Sequence, residues 1–358
     1  MRVVPATAAA PPTLTGIAGR VDDRIRSLLE AEVERWELVD PDLVEPFRAL
    51  SDLVLMGGKR LRPAFCHWAF VGAGGDPADP MVVDGGAALE LLHTFALIHD
   101  DIMDGSSTRR AMDTIHVLFE QRHALQGWRG EGRRFGEGVA VLVGDLAFVY
   151  ADLLLAQAPP EAIAVFTELR VEVNVGQYLD LLGTARGHVE EQPARRISLF
   201  KSGKYTVERP LHLGAALAGP GRLECLAEPL SAYGLPLGEA FQLRDDLLGI
   251  YGDEAVTGKP VGEDLREGKP TVLFALARER ATGAAARLLE RYGAPNLTDH
   301  EVVALQEVLV ETGAVDQVER TIDDRVAEAT VALDSAPLVP AARTALVDLA
   351  QFVAGRDR

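Results

Sequence analysis

The sequence predicts an all-α fold, a single large domain of many helices around a central cavity. Three observations predict it. Apolar residues recur at helical spacing along the chain, as in Val21, Ile25, Leu28, Leu29, Val33 and Trp36. No stretch alternates apolar and polar residues as a half-buried strand does. Two segments, Gly86 to Ile98 and Gly138 to Ala156, are apolar nearly all round and belong in the middle of a fold.

The elements follow in order. Residues 1–18 are rich in Ala, Pro and Thr and read as a flexible tail, leaving 19–358 as the helical domain. After the helix from Arg20, helical character runs through 42–55, 59–73, 79–104, 110–125, 136–157, 161–185, 191–202, 204–218, 223–252, 271–291, 299–312 and 315–355. Gly and Pro punctuate these segments, as at Pro159-Pro160 and Pro220-Gly221. Gln126 to Glu137, rich in Gly and Arg, reads as an exposed loop.

Composition narrows the function. Of 358 residues, 47% are hydrophobic and 25% charged, and the net charge is −18. That balance argues against nucleic acid as a partner. Two distant cysteines, Cys66 and Cys225, suggest no disulfide framework and suit a reducing cytoplasm. The longest apolar run, Val139 to Ala156, is interrupted by Asp145 and Asp152, so no membrane span is expected.

The chemistry starts where the first apolar helix ends, at Asp100-Asp101-Ile102-Met103-Asp104. Asp100 and Asp104 share a helical face and Asp101 lies beside them. Three carboxylates at the negative end of a helix dipole repel one another, and nothing about stability favours them there. A divalent cation resolves the conflict, since Mg²⁺ takes one or two carboxylates plus substrate phosphate oxygens. Arg109 and Arg110 follow with forked donors suited to diphosphate. Upstream, Gly57-Gly58-Lys59-Arg60-Leu61-Arg62-Pro63 opens a helix, where free N–H groups and glycines favour an anion. Lys59 and Arg62 can point the same way. Downstream, Gln242, Asp245 and Asp246 share a face of a later helix, and Lys259 and Lys269 stand in loops able to close over a ligand.

The phrase LIHDDIMDGSSTRR resembles the first aspartate-rich motif of the trans-isoprenyl diphosphate synthases, the polyprenyl synthetase family. The matches run in family order from about Gly57 to Thr271. The resemblance implies the isoprenoid synthase fold, an Mg²⁺ cofactor, a homodimer and two substrates: isopentenyl diphosphate and an allylic diphosphate (dimethylallyl, geranyl or farnesyl). It implies that Lys59, Arg62, His93 and Arg110 hold isopentenyl diphosphate. Asp100, Asp104 and Asp245 would be the metal ligands, with Asp101 and Asp246 beside them in the catalytic clusters. Gln177 and Asp180 match a Gly-Gln-x-x-Asp motif facing the cavity, and Gln242 belongs to the second cluster. Arg109, Lys259, Lys269 and a lysine at 201 or 204 would face the departing diphosphate. The spacing to Gly214 does not choose between Lys201 and Lys204, and Lys201 is preferred. Ionisation, condensation and elimination would follow, with the proton lost to the released diphosphate. Phe95, five before Asp100, and Ala96, four before it, resemble the chain-length residues of enzymes making geranylgeranyl diphosphate.

One position departs from the pattern. Gly249 stands where the second motif has its last aspartate, with Asp253 one turn further on. Rival expectations are a farnesyl or longer-chain synthase, a class I terpene cyclase of the same fold, and a non-catalytic partner subunit.

Overall fold

A computed structural model describes residues 11–109, 112–187, 190–252, 262–294 and 296–355. It is built almost wholly of helices: α1 Pro12–Glu37, α2 Val44–Leu55, α3 Leu61–Gly72, α4 Pro80–Asp104, α5 Ile115–Gln126, α6 Gly132–Leu154 and α7 Pro160–Arg186. Then come α8 Glu191–Ser198, a π-wound segment Leu199–Glu208, α9 Arg209–Leu217 and α10 Arg222–Tyr251. The last are α11 Glu263–Glu267, α12 Val272–Arg280, α13 Gly283–Leu289, α14 Asp299–Glu311, α15 Ala314–Ala332 and α16 Pro340–Gly355. A two-residue hairpin, Thr108–Arg109 with Met112–Asp113, is the one sheet among the described residues.

Several expectations change. The chain becomes helical at Pro12, inside the stretch expected to be a tail, because Leu14 and Ile17 continue the buried stripe of Val21 and Ile25. The Gly/Arg-rich loop is shorter than expected, since α6 starts at Gly132. Residues 271–291 break at Ala281, and 315–355 breaks before Pro340, whose missing N–H suits a helix start. Residues 191–217 run on without the expected break at 203. The Gly138 to Ala156 helix is not enclosed. Leu142, Val149 and Leu153 are each more than half exposed along one side of α6.

α4 lies in the middle, as expected, packed on α1, α3, α6 and α9. Its start is set by Asp79, whose carboxylate accepts the Met81 N–H, with Pro80 in the first turn. Its end is set by Gly105 at φ 67°, a left-handed cap directly after Asp104. Between them Gly85 to Leu92 are buried. Among the described residues α4 is the one helix long and apolar enough to cross a membrane, and 61% of its most apolar window is buried inside the protein. One apolar core surrounds α3, α4, α6 and α9, and a second joins α10, α12, α14 and α15. The aspartate end of α4 opens into the cleft between these cores.

Candidate active site

The cleft holds a cavity of about 580 Å³. Its wall includes Lys59, Arg62 and His93, then Asp100 of α4 with Lys201, and Gln242, Asp245 and Asp246 of α10 with Lys269. Residues more than 200 positions apart in sequence therefore meet in one space.

Asp100 is the hub. Gln177 donates to its Oδ1 at 2.7 Å, and Lys201 Nζ lies 3.1 Å from the same oxygen and 2.6 Å from Asp180 Oδ2. Burial would raise the Asp100 carboxyl, but Lys201, Lys269 and Arg109 outweigh it and hold the group well below the usual carboxylate range. Asp104 goes the other way. Burial and then the charge of Asp100 push its carboxyl up, and its buried Oδ2 accepts no hydrogen bond, although Lys269 Nζ lies 3.4 Å away. Asp246 is pushed up to about 7, mainly by burial, although Gln242 donates to it at 2.7 Å.

Lys201 and Lys204 part company. Lys204 pairs with Glu172 at 2.6 Å and approaches Glu208 at 3.6 Å, so Lys201 is the one that reaches Asp100. Asp101 has a different partner. One step round the helix from Asp100, it is buried and takes the Arg109 guanidinium side-on, with Nε 2.9 Å from both oxygens and Nη2 2.6 Å from Oδ1. Asp101 therefore orients Arg109 and is absent from the cavity wall, and the fork of Arg109 is already committed. Arg110, Asp253 and Lys259 lie outside the described residues.

The basic motif is organised by a residue that sequence reasoning passed over. Arg60, at φ 50°, is the one non-glycine with positive φ among the described residues. Its guanidinium donates to Asp22 at 2.8 Å, Glu90 at 2.7 Å and the Val54 carbonyl at 2.6 Å, tying α1, α2 and α4 to the start of α3. The turn aims Arg62 at Thr206, 2.9 Å away, and over the Tyr205 ring at 4.4 Å. The His93 ring also leans on Tyr205, centroids 6.1 Å apart. Arg60→Ala leaves buried Glu90 without its cation, so an expected loss is ~3–5 kcal/mol in denaturant unfolding. A loss below ~1 kcal/mol would remove Arg60 from that role.

Gly249 has a structural reason. A Cβ built there would lie 1.8 Å from Asp264 Oδ2. The carboxylate of Asp264, on α11, fills the space that a side chain at 249 would need, and it lies 3.7 Å from Lys269 Nζ. Spacing alone could not find Asp264, because it lies on a different helix, beyond the end of α10. Gly249→Asp is therefore expected to lower both activity and melting temperature, at an overpacking cost of about 1–3 kcal/mol. A more active variant would contradict this.

These carboxylates suit a hard cation. Oxygen donors outnumber the two lysines between them, and Asp104 keeps an unbonded oxygen. Among the described residues no three acidic, imidazole or thiol side chains already grip a metal on their own.

A polyprenyl synthetase family model matches residues 45–309. The chain belongs to the polyprenyl synthetase family. The short chain isoprenyl diphosphate synthase of Methanothermobacter thermautotrophicus is 34% identical over 317 residues, covering 87% of this chain and 90% of its own length. The geranylgeranyl diphosphate synthase of Mycobacterium tuberculosis is 33% identical over 306 residues, 84% and 80% of the two chains. A crystal structure of the Corynebacterium glutamicum geranylgeranyl pyrophosphate synthase, complexed with isoprenyl diphosphate and magnesium, superposes with a TM-score of 0.87 at 35% identity, covering 95% and 99%. The chain is thus a trans-prenyl diphosphate synthase of the isoprenoid synthase fold, from a family that uses isopentenyl and allylic diphosphates.

Proposed function

We propose that this trans-prenyltransferase makes geranylgeranyl diphosphate, with the allylic diphosphate bound between α4 and α10 and isopentenyl diphosphate at Lys59, Arg62 and His93. The observation that carries the reading is that Asp100 from α4 and Asp245 and Asp246 from α10 line one cavity with a basic rim, with Asp104 one turn beyond Asp100 and 3.4 Å from Lys269 of that wall. Asp100, Asp104 and Asp245 would hold Mg²⁺. When bound, the metal neutralises charge on the departing diphosphate. Lys201 and Lys269 add fixed positive charge at the same place, already held by neighbouring carboxylates. Gln177 keeps Asp100 turned into the cavity. Arg62, braced by Tyr205 and Thr206, fixes the nucleophilic partner so that its double bond meets the allylic carbon. The C–O bond breaks with its electron pair leaving on diphosphate. The isopentenyl double bond forms the new C–C bond, and the resulting cation loses a proton to the released diphosphate, the C–H electron pair becoming the new double bond.

One assay tests the reading: purified protein, Mg²⁺, labelled isopentenyl diphosphate and each allylic starter in turn, with product length read by chromatography. Elongation that stops at C20 supports it. A shorter or longer product overturns the chain length, a cyclised product points to a terpene cyclase, and silence with every starter points to a partner subunit.

The enzyme works as a homodimer in this reading. Leu142, Val149 and Leu153 on α6, with Val171, Val175 and Tyr178 on α7, are exposed at helical spacing, and Arg170 links the two helices by pairing with Asp152 at 2.6 Å. A second copy of the same face would cover both stripes. Sedimentation should give twice the chain mass, and Val171→Glu with Val175→Glu should halve it. A monomeric wild type would refute the dimer. Cys66 and Cys225 are both free thiols, which suits a reducing cytoplasm.

A further inference from the structure

Lys201 owes its place to an unusual stretch of backbone. Leu199–Glu208 is wound as a π-helix over ten residues, between α8 and α9 and without a break. Such winding is rare and usually limited to one turn. In an α-helix, residues three apart are neighbours on one face. The wider π turn swings them apart, and Lys201 and Lys204 here reach different carboxylates, Asp100 and Asp180 against Glu172.

Three glycines on the helices at either side touch this segment through its backbone. On α7, a Cβ at Gly176 would lie 2.5 Å from the Lys201 amide nitrogen and 2.8 Å from its Cα. On α10, a Cβ at Gly238 would lie 2.5 Å from the Cα and carbonyl oxygen of Gly203, and one at Gly234 would lie 2.9 Å from the Glu208 Cα. Those neighbours are backbone, so they cannot swing aside as a flexible side chain could. Gly234 and Gly238 are four apart and share a face of α10. Gly176 directly precedes Gln177 and stands four before Asp180, the residues that meet Asp100 and Lys201.

We propose that Gly176, Gly234 and Gly238 are positioning residues, a backbone clamp that holds 199–208 in π winding and so aims Lys201, rather than Lys204, at the diphosphate of the allylic substrate. The inference rests on the reading of Lys201 given under the proposed function. Fixing a charged group to within a fraction of an ångström matters because a 1 Å misplacement can cost about 100-fold in rate. Gly203, inside the segment, provides a control. A Cβ there would meet nothing closer than 3.6 Å, an ordinary contact.

The test is steady-state kinetics with both substrates varied, on dimer-sized, folded protein. Gly176→Ala and Gly238→Ala should each lower kcat/KM for the allylic diphosphate by about 100-fold. KM for isopentenyl diphosphate should stay at the wild-type value, and Gly203→Ala should match wild type throughout. Combined with Lys201→Ala, Gly238→Ala should add almost nothing, because the group it aims is gone. A rise in KM for isopentenyl diphosphate as large as that for the allylic substrate, or the full Gly238→Ala loss persisting without Lys201, would overturn the clamp. If Gly238→Ala does not fold, Gly234→Ala, with the mildest contact of the three, carries the same two readouts. Wild-type kinetics for Lys201→Ala would instead sink the role given to Lys201 itself.

Discussion

Asp100→Ala and Asp245→Ala are each expected to abolish turnover while leaving the protein folded. The two residues come from helices far apart in sequence and line one cavity. If both carboxylates serve the departing diphosphate, removing either forfeits charge stabilisation worth several kcal/mol in the transition state. A loss of about 4 kcal/mol corresponds to about 10³-fold in kcat. Stability should change little for Asp100→Ala, because Lys201 keeps Asp180 at 2.6 Å and is not left as an unpaired buried charge. The measurement is kcat at saturating Mg²⁺ beside a thermal melt. Near-wild-type kcat in either variant would remove that helix from the chemistry. A lost melt in Asp100→Ala would mean that the residue is structural.

The parts of this site legible in the sequence are those set by local geometry. Asp100 and Asp104 are i, i+4 on a helix that ends at Gly105, so their shared face followed from spacing alone. The Gly57 to Pro63 segment was legible as a helix start with basic side chains, and α3 does begin at Leu61 with Lys59 and Arg62 lining the cavity. Contacts without a period were not legible. The Arg60–Glu90 pair, the support of Arg62 by Tyr205 and the carboxylate of Asp264 at Gly249 each join segments that no spacing rule connects. Gly249 looked like a missing ligand and turns out to be the opening for Asp264. The helix start at Pro12 was hidden by Ala, Pro and Thr, whose composition outweighed two apolar residues on the right face. The π winding had no signature either, since Gly203 reads as a helix break in sequence and becomes a packing surface only when α10 lies against it.

Phe95→Ala is expected to lengthen the product, and the packing around Phe95 gives the reason. Phe95 lies on the side of α4 that faces α6. Its ring meets His99 with centroids 4.6 Å apart and the edge of Phe148 at 4.9 Å. Ala96, on the Asp100 face, leaves space beside it. Phe148 in turn lies under Arg170, 5.0 Å from the ring, and lines an outer cleft of about 570 Å³ with Val171, Val175 and Tyr178. The Phe95–Phe148 pair thus stands between the depth of the α4 bundle and an apolar cleft beyond it. A growing prenyl chain that ran down α4 would stop at this pair. Removing one ring opens room for at least one further isoprene unit, and Phe95→Ala with Phe148→Ala should extend the product again. Because Phe95 is only half-buried, its truncation should cost less than the ~3–5 kcal/mol of a core Phe→Ala change. Chromatography of the dephosphorylated products decides the matter. A distribution no longer than wild type in the single and double variants would mean that the chain runs elsewhere and that Phe95 is packing alone.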